Sequence, residues 1–188
     1  GKNIKEGVID LDFSITKNLK NLADFKNTTP DKLTICLLER ERHDHIVNDA
    51  KQLGTKIKFI PDGDVAGAIY AGIDEFNVDI YLGIGGAPEG VLAAAAIKCL
   101  GGQFQARLVL SNDQEVDKAK KMGIKDLKKK YYINDLVKDD VLFCATGVTG
   151  GDLLQGIKIL DNGFYQSETY VLHHAAKLNK KIINKFKI

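Results

Sequence analysis

From residue 33 onward, short apolar runs alternate with stretches whose hydrophobic residues recur at helical spacing, the pattern that βαβ units and a parallel sheet produce. Residues 33–38 form a continuous apolar run of strand type. Residues 42–53 then set Ile46, Val47, Ala50 and Leu53 on one helical face and stop at Gly54, a residue suited to the left-handed C′ position. Residues 56–60 alternate as a strand, 65–73 read as a small-residue helix, and 78–82 as the next strand. Pro88 suits the first turn of the following helix, whose residues 91–100 are rich in alanine and built for close packing. A fourth strand is expected at 104–110, a helix at 115–122 ending at Gly123, and a fifth strand at 141–145.

The two ends differ from this middle. Ile15, Leu19, Leu22 and Phe25 sit at helical spacing after a short lead-in. Near the other end, residues 156–160, the turn Asp161-Asn162-Gly163 and residues 164–172 read as a β-hairpin, because Asn-Gly supplies the positive φ of a tight turn. Lysines surround Ile182, Ile183 and Phe186 in the last twelve residues, which are read as a solvated strand or helix, and Lys128-Lys129-Lys130 as a solvated turn. The expected fold is α/β, a largely parallel sheet with flanking helices and a C-terminal antiparallel hairpin.

Composition narrows the function classes. The 188 residues carry 27 Lys+Arg against 25 Asp+Glu, a net charge of +2, too weak a field for a protein that reads nucleic acid through many phosphate contacts. No apolar run reaches the roughly 18 residues of a membrane helix, so neither a nucleic-acid nor a membrane partner is expected. Cys36, Cys99 and Cys144 are odd in number, far apart and without zinc spacing, which suits a reducing cytoplasm. His43 and His45 fall on opposite sides of one helix and His173-His174 at the hairpin end, so neither a zinc site nor histidine catalysis is expected.

In an open α/β sheet the ligand lies beyond the carboxyl ends of the strands, and there the sequence turns unusual. The first strand is followed by Glu39-Arg40-Glu41-Arg42-His43, the second by Pro61-Asp62-Gly63-Asp64, the third by Gly83-Ile84-Gly85-Gly86-Ala87-Pro88-Glu89, and the fifth by Thr146-Gly147-Val148-Thr149-Gly150-Gly151-Asp152. Only three basic residues are arginine, and Arg40 and Arg42 are two of them. A guanidinium fork binds phosphate bidentately, although the same run also reads as an exposed set of salt bridges. Asp62 and Asp64 can cap a helix, accept sugar hydroxyls or bind a divalent cation. The glycine turn lets backbone N–H groups approach an anion. Glu89, just inside the next helix, would repel that anion unless a metal bridges them.

Leu-Glu-Arg-Glu-Arg-His (38–43), Ile-Pro-Asp-Gly-Asp-Val-Ala (60–66), Gly-Ile-Gly-Gly-Ala-Pro-Glu-Gly-Val (83–91) and Ala-Thr-Gly-Val-Thr-Gly-Gly-Asp-Leu-Leu (145–154) resemble the C-terminal half of class II fructose-1,6-bisphosphatase. The resemblance implies a bacterial cytoplasmic enzyme of gluconeogenesis and glycerol metabolism. It would depend on Mn²⁺ or Mg²⁺, have the sugar-phosphatase, inositol monophosphatase-like fold, and be a homo-oligomer, dimer or tetramer. Its substrate would be fructose 1,6-bisphosphate, with sedoheptulose 1,7-bisphosphate as the alternative; a non-catalytic sugar-phosphate-binding domain is the reading from another class. Carried onto this chain, it implies that Arg40, Glu41, Arg42, Asp62, Gly63, Asp64 and Gly86 bind substrate and that Glu89 ligates metal. Arg40 stands where the family more often has Lys, and Glu41 where it has Pro. Family members are longer, so the chain is expected to be a single C-terminal α/β domain. The catalytic residues and remaining metal carboxylates are expected upstream, and this chain alone is expected to be inactive.

Overall fold

The structure, a computed structural model, describes residues 3–187. Its centre is β1 (Thr34–Leu38), paired in parallel with β2 (Lys56–Ile60) on one edge and β3 (Ile80–Tyr81) on the other. β1 is apolar on both sides because both of its faces are covered. Ile35 and Leu37 point into a cluster with Leu19 and Leu22 of α1 (Ile15–Phe25) and Ile46, Val47 and Ala50 of α2 (Asp44–Gln52). Cys36 and Leu38 point the other way, toward α3 (Asp64–Tyr70) and α4 (Ala87–Leu100). The expected lead-in helix is present as α1, capped by Ser14, whose hydroxyl accepts from the Lys17 N–H at 3.1 Å.

A second, antiparallel sheet covers the outer side of α4. Its strands are β6 (Leu142–Thr146), β7 (Lys158–Ile159), β8 (Phe164–His173) and β9 (Leu178–Lys187), with β6 and β7 on one edge of β8 and β9 on the other. Phe143, Tyr170 and Leu172 from this sheet join Ala96, Ile97 and Leu100 of α4 in one core. Alanines let α4 pack on both sides, and the layers run helices, parallel sheet, helices, antiparallel sheet.

Four expectations are corrected. The sheet is not largely parallel, since only β1, β2 and β3 pair that way. The expected fifth strand is β6, antiparallel to β8, with Leu142 and Cys144 exposed while Phe143 is buried. This alternation marks a strand covered on one face, but an unbroken Leu-Phe-Cys-Ala run conceals it. The expected strand at 104–110 shortens to β4 (Gln105–Arg107), antiparallel to β5 (Lys130–Tyr132) across α5 (Asp113–Lys121). Here the polar positions decide. Gln105 accepts from the Leu11 N–H at 2.8 Å, and Arg107 pairs with Asp12. Lys130 is therefore no solvated turn residue: β5 carries it into ion pairs with Asp10 and Asp12. Lys130 first, then Arg107, hold the Asp12 carboxyl down at about 2.

The expected hairpin exists as β7 and β8, joined by the 3₁₀ turn Asp161–Gly163, with Gly163 at φ 75°. The longer hairpin is β8 with β9, whose turn places Lys177 at φ 49°. The last lysine-rich segment is thus a solvated edge strand as far as Lys187; Ile188 lies outside the described residues. β3 is shorter than the apolar run around it, and α6 (Ile133–Leu136) is a single turn.

The two kinds of strand differ in what they contribute to stability. Ile35→Ala, at a fully buried position of β1, should lower the unfolding free energy by about 2–5 kcal/mol. Ile183→Ala on β9, where the side chain is 60% exposed, should change it by about 0.5 kcal/mol or less. Denaturant midpoints of the two variants check the contrast, and equal losses would contradict it.

Candidate functional site

The strand order β2-β1-β3 makes a topological switch point. The chain leaves β1 through α2 to reach β2 on one side, then returns through α3 to β3 on the other. Loops at the carboxyl ends of β1 and β3 diverge there, and such a crevice is where open α/β sheets bind ligands. Three of the four expected segments lie on this rim: 39–43 after β1, 61–64 after β2 and 82–89 after β3.

The β1 loop reaches both neighbours. Arg40 donates from Nη1 to the Glu39 carbonyl and from Nη2 to the Pro61 carbonyl, each at 2.8 Å, which ties it to the loop that carries Asp62. Arg42 donates from Nε to the Ile84 carbonyl at 2.8 Å. His43 receives the Ile84 N–H on Nε2 at 2.8 Å, and its Nδ1 lies 2.8 Å from the Leu38 carbonyl. Arg40, Glu41 and Arg42 are exposed, whereas His43 is fully buried.

The glycine loop Gly83-Ile84-Gly85-Gly86 gives floor space to the side chains around it. A Cβ on Gly83 would lie 3.3 Å from the Tyr81 hydroxyl and 3.4 Å from the His43 ring. On Gly85 it would lie 2.5 Å from Asp64 Oδ2, and on Gly86 it would overlap the Glu89 carboxylate. None of these glycines has positive φ; a Cβ on Gly85 or Gly86 would push the Asp64 or Glu89 carboxylate aside, so what they provide is close approach. Gly63 differs: it is the N-cap of α3 at φ 93°, where an L side chain would be strained. Neither Asp62 nor Asp64 caps α3 through its side chain. Asp62 is exposed, and Asp64 instead accepts a hydrogen bond from the Tyr81 hydroxyl.

Burial, and then the facing Asp64 carboxylate, hold the Tyr81 hydroxyl protonated far above its ordinary value of 10.0. A cavity of about 860 Å³ is lined by Asp64, Tyr81, Gly85, Gly86 and Glu89 together with apolar groups that include Phe13 and Ile97. A second hollow of about 570 Å³, at Ile159, Phe164 and Lys185, holds none of the expected site residues. Among the described residues, no group of three or more His, Cys, Asp or Glu side chains is placed to hold a metal ion. Glu89 can give one carboxylate arm to a cation. The fourth segment, after β6, belongs to the antiparallel sheet; Asp152 reaches the parallel sheet through Lys58 of β2 at 2.8 Å.

Arg42, Asp64 and Glu89, drawn from three loops, thus border one glycine turn. Chemically the rim offers two guanidinium groups, backbone N–H groups at the start of α4 and carboxylates that accept hydroxyls or ligate a cation. The sequence reading missed His43 and Tyr81. Tyr81 carried no signal beyond its place in a strand. His43 stood next to Arg42 at a strand end, but a lone histidine spacing speaks only of metal ligands.

The sequence matches the family model for bacterial fructose-1,6-bisphosphatase, glpX-encoded, over residues 1–186. It is 38% identical over 196 residues to the class 2 fructose-1,6-bisphosphatase of Haemophilus influenzae, covering 97% of this chain and 58% of that relative. It is 35% identical over 171 residues to the class 2 D-fructose 1,6-bisphosphatase/sedoheptulose 1,7-bisphosphatase of Synechococcus elongatus, covering 84% of this chain and 50% of that protein. The chain spans about half the length of the curated relatives it matches.

The Tyr81–Asp64 contact has a measurable pH signature. A folded-state value raised above that of free tyrosine stabilises fully below pH 10, and this contribution falls as the pH rises past 10, where the unfolded chain ionises and the folded one does not. Between pH 10 and 11 the wild type should therefore lose about 1 kcal/mol more unfolding free energy than Tyr81→Phe. Denaturant titrations at the two pH values measure this; parallel losses would contradict the geometry.

Proposed function

The chain belongs to the bacterial, glpX-encoded fructose-1,6-bisphosphatase family, and from that membership we propose that it supplies the substrate cradle of an enzyme that hydrolyses the 1-phosphate of fructose 1,6-bisphosphate to give fructose 6-phosphate and phosphate. It is the C-terminal α/β domain of a longer phosphatase with the sugar-phosphatase, inositol monophosphatase-like fold, and the catalytic groups come from outside residues 1–188. The relatives' greater length supports that division.

Arg40 and Arg42 hold the phosphate that is retained. Their forks match a phosphate's oxygens bidentately, and the backbone carbonyls that fix one side of each guanidinium lower the entropy lost on binding. Glu41 lies between them. Asp62, Gly63 and Asp64 meet the sugar hydroxyls, Asp64 with its carboxylate already oriented by Tyr81. Gly86 offers backbone close to the scissile phosphate at the start of α4.

Glu89 gives one carboxylate to a divalent cation, Mn²⁺ or Mg²⁺, whose other ligands lie outside this chain. When bound, such a cation neutralises phosphate charge and makes a nucleophile of water near neutral pH. What this chain does is hold the sugar bisphosphate in line and keep Glu89 beside the reacting phosphate. The observation that supports the reading most is the grip of Arg42 on Ile84, which joins the phosphate-binding arginine to the turn that carries Gly86 and Glu89. Sedoheptulose 1,7-bisphosphate is a second substrate reading, favoured by the double name of the cyanobacterial relative. The family also supports a cytoplasmic location and a place in gluconeogenesis.

The full-length protein carrying this sequence should release phosphate from fructose 1,6-bisphosphate only with Mn²⁺ or Mg²⁺ present. Glu89→Gln should lower turnover about 100-fold or more with the melting temperature unchanged. Arg42→Ala should raise KM by about 10–100-fold, the cost of one lost charge-assisted contact. Sugar binding without turnover would overturn the hydrolase reading, and full activity in Glu89→Gln would remove the metal role.

A further inference from the structure

His43 is fully buried, yet its two ring nitrogens face backbone groups of the end of β1 and of the loop after β3. The Leu38 carbonyl can only accept, so Nδ1 carries the proton; the Ile84 N–H can only donate, so Nε2 is bare. The neutral Nδ1–H tautomer alone satisfies both partners. The other tautomer would set an N–H against an N–H and leave the Leu38 carbonyl facing a lone pair.

The place of this ring matters as much as its chemistry. The ladder between β1 and β3 ends where the Leu82 N–H donates to the Cys36 carbonyl at 3.0 Å. Beyond it the strands give way to the diverging loops of the switch point, and His43 bridges the gap from Leu38 to Ile84. Arg42 takes the other end of the same residue, the Ile84 carbonyl. Consecutive side chains thus hold both the N–H and the C=O of Ile84. Gly83 lies against the ring, where a Cβ would be 3.4 Å from it, and beyond Ile84 come Gly85 and Gly86, against which Asp64 and Glu89 lean.

The geometry points to His43 as a positioning residue: as the Nδ1–H tautomer it fixes the Ile84 peptide, and with it the glycine turn and the Arg42 guanidinium, in the arrangement that receives a sugar phosphate. This rests on the phosphate-binding reading above. His43 touches neither substrate nor metal and acts through Ile84 and Arg42.

The test uses the full-length protein, with fructose 6-phosphate as the binding probe. Long-range ¹H–¹⁵N spectra of labelled wild type at neutral pH should show His43 protonated at Nδ1 only; protonation at Nε2 overturns the proposal. Two variants separate the ring's two bonds. His43→Gln brings an acceptor oxygen to the Nε2 position and keeps the Ile84 bond, while His43→Asn brings an amide donor to the Nδ1 position and keeps only the Leu38 bond. Removal of an orienting partner typically weakens a site 10–100-fold, so Asn should weaken fructose 6-phosphate binding about tenfold, with Gln within about threefold of wild type. Ile84 amide exchange should quicken in Asn and much less in Gln.

Equal weakening in the two variants, or a lower melting temperature in Asn with binding untouched, would leave His43 a core residue and refute the inference. If neither variant folds, the wild-type tautomer decides. If wild type itself does not bind fructose 6-phosphate, the assignment of Arg40 and Arg42 to the retained phosphate fails, and the Ile84 exchange difference still decides the clamp.

Discussion

One residue, Ile84, is held through both of its backbone groups by side chains from the neighbouring strand's loop. His43 takes its N–H and Arg42 its carbonyl. At a switch point the backbone ladder can no longer hold the loops together, because successive crossovers carry the chain to opposite sides of the central strand. Side chains must replace it. The His43 ring is fully buried, and a buried polar group left without its hydrogen bond costs about 1–3 kcal/mol, so its two bonds hold the loop in place. Gly86 and Glu89 follow directly from that loop.

The glycines follow from the same constraint. Gly83, Gly85 and Gly86 have backbone conformations open to any residue, so local propensity does not call for them. They lie where the turn runs close to the His43 ring, the Asp64 carboxylate and the Glu89 carboxylate, and a Cβ on Gly85 or Gly86 would make those carboxylates shift. A turn pressed onto three functional groups has room for hydrogen where other residues carry Cβ. Its backbone is left open to a ligand for the same reason.

Sequence pattern made the parallel unit and its rim legible. β1, α2, β2, α3 and α4 lie where apolar period and capping residues put them, and the chemistry-bearing residues follow the strands. Pairing direction was not legible. Leu142-Phe143-Cys144-Ala145 reads as buried on both faces, yet β6 exposes alternate residues, because cysteine and leucine on its outer face look the same in sequence as core. Lys130 read as solvent because its partners, Asp10 and Asp12, lie more than a hundred residues away in the chain. His43 was hidden for a related reason: its two partners are backbone groups, which no residue pattern records.

The rim is rigid but electrostatically incomplete. Arg40 and Arg42 bring two positive charges, while Glu39, Glu41, Asp62, Asp64 and Glu89 bring five negative ones. Two like unit charges about 4 Å apart near a protein surface repel by about 4 kcal/mol, so a phosphate approaching Glu89 without a cation would be rejected there. The arginines do not cancel this, because the bonds that aim them spend part of their donors on the Pro61 and Ile84 carbonyls. Under the proposed reading, the positive charge that a second phosphate needs would come from a divalent cation, and Glu89, folded over a residue that has no side chain, is the carboxylate proposed to hold it.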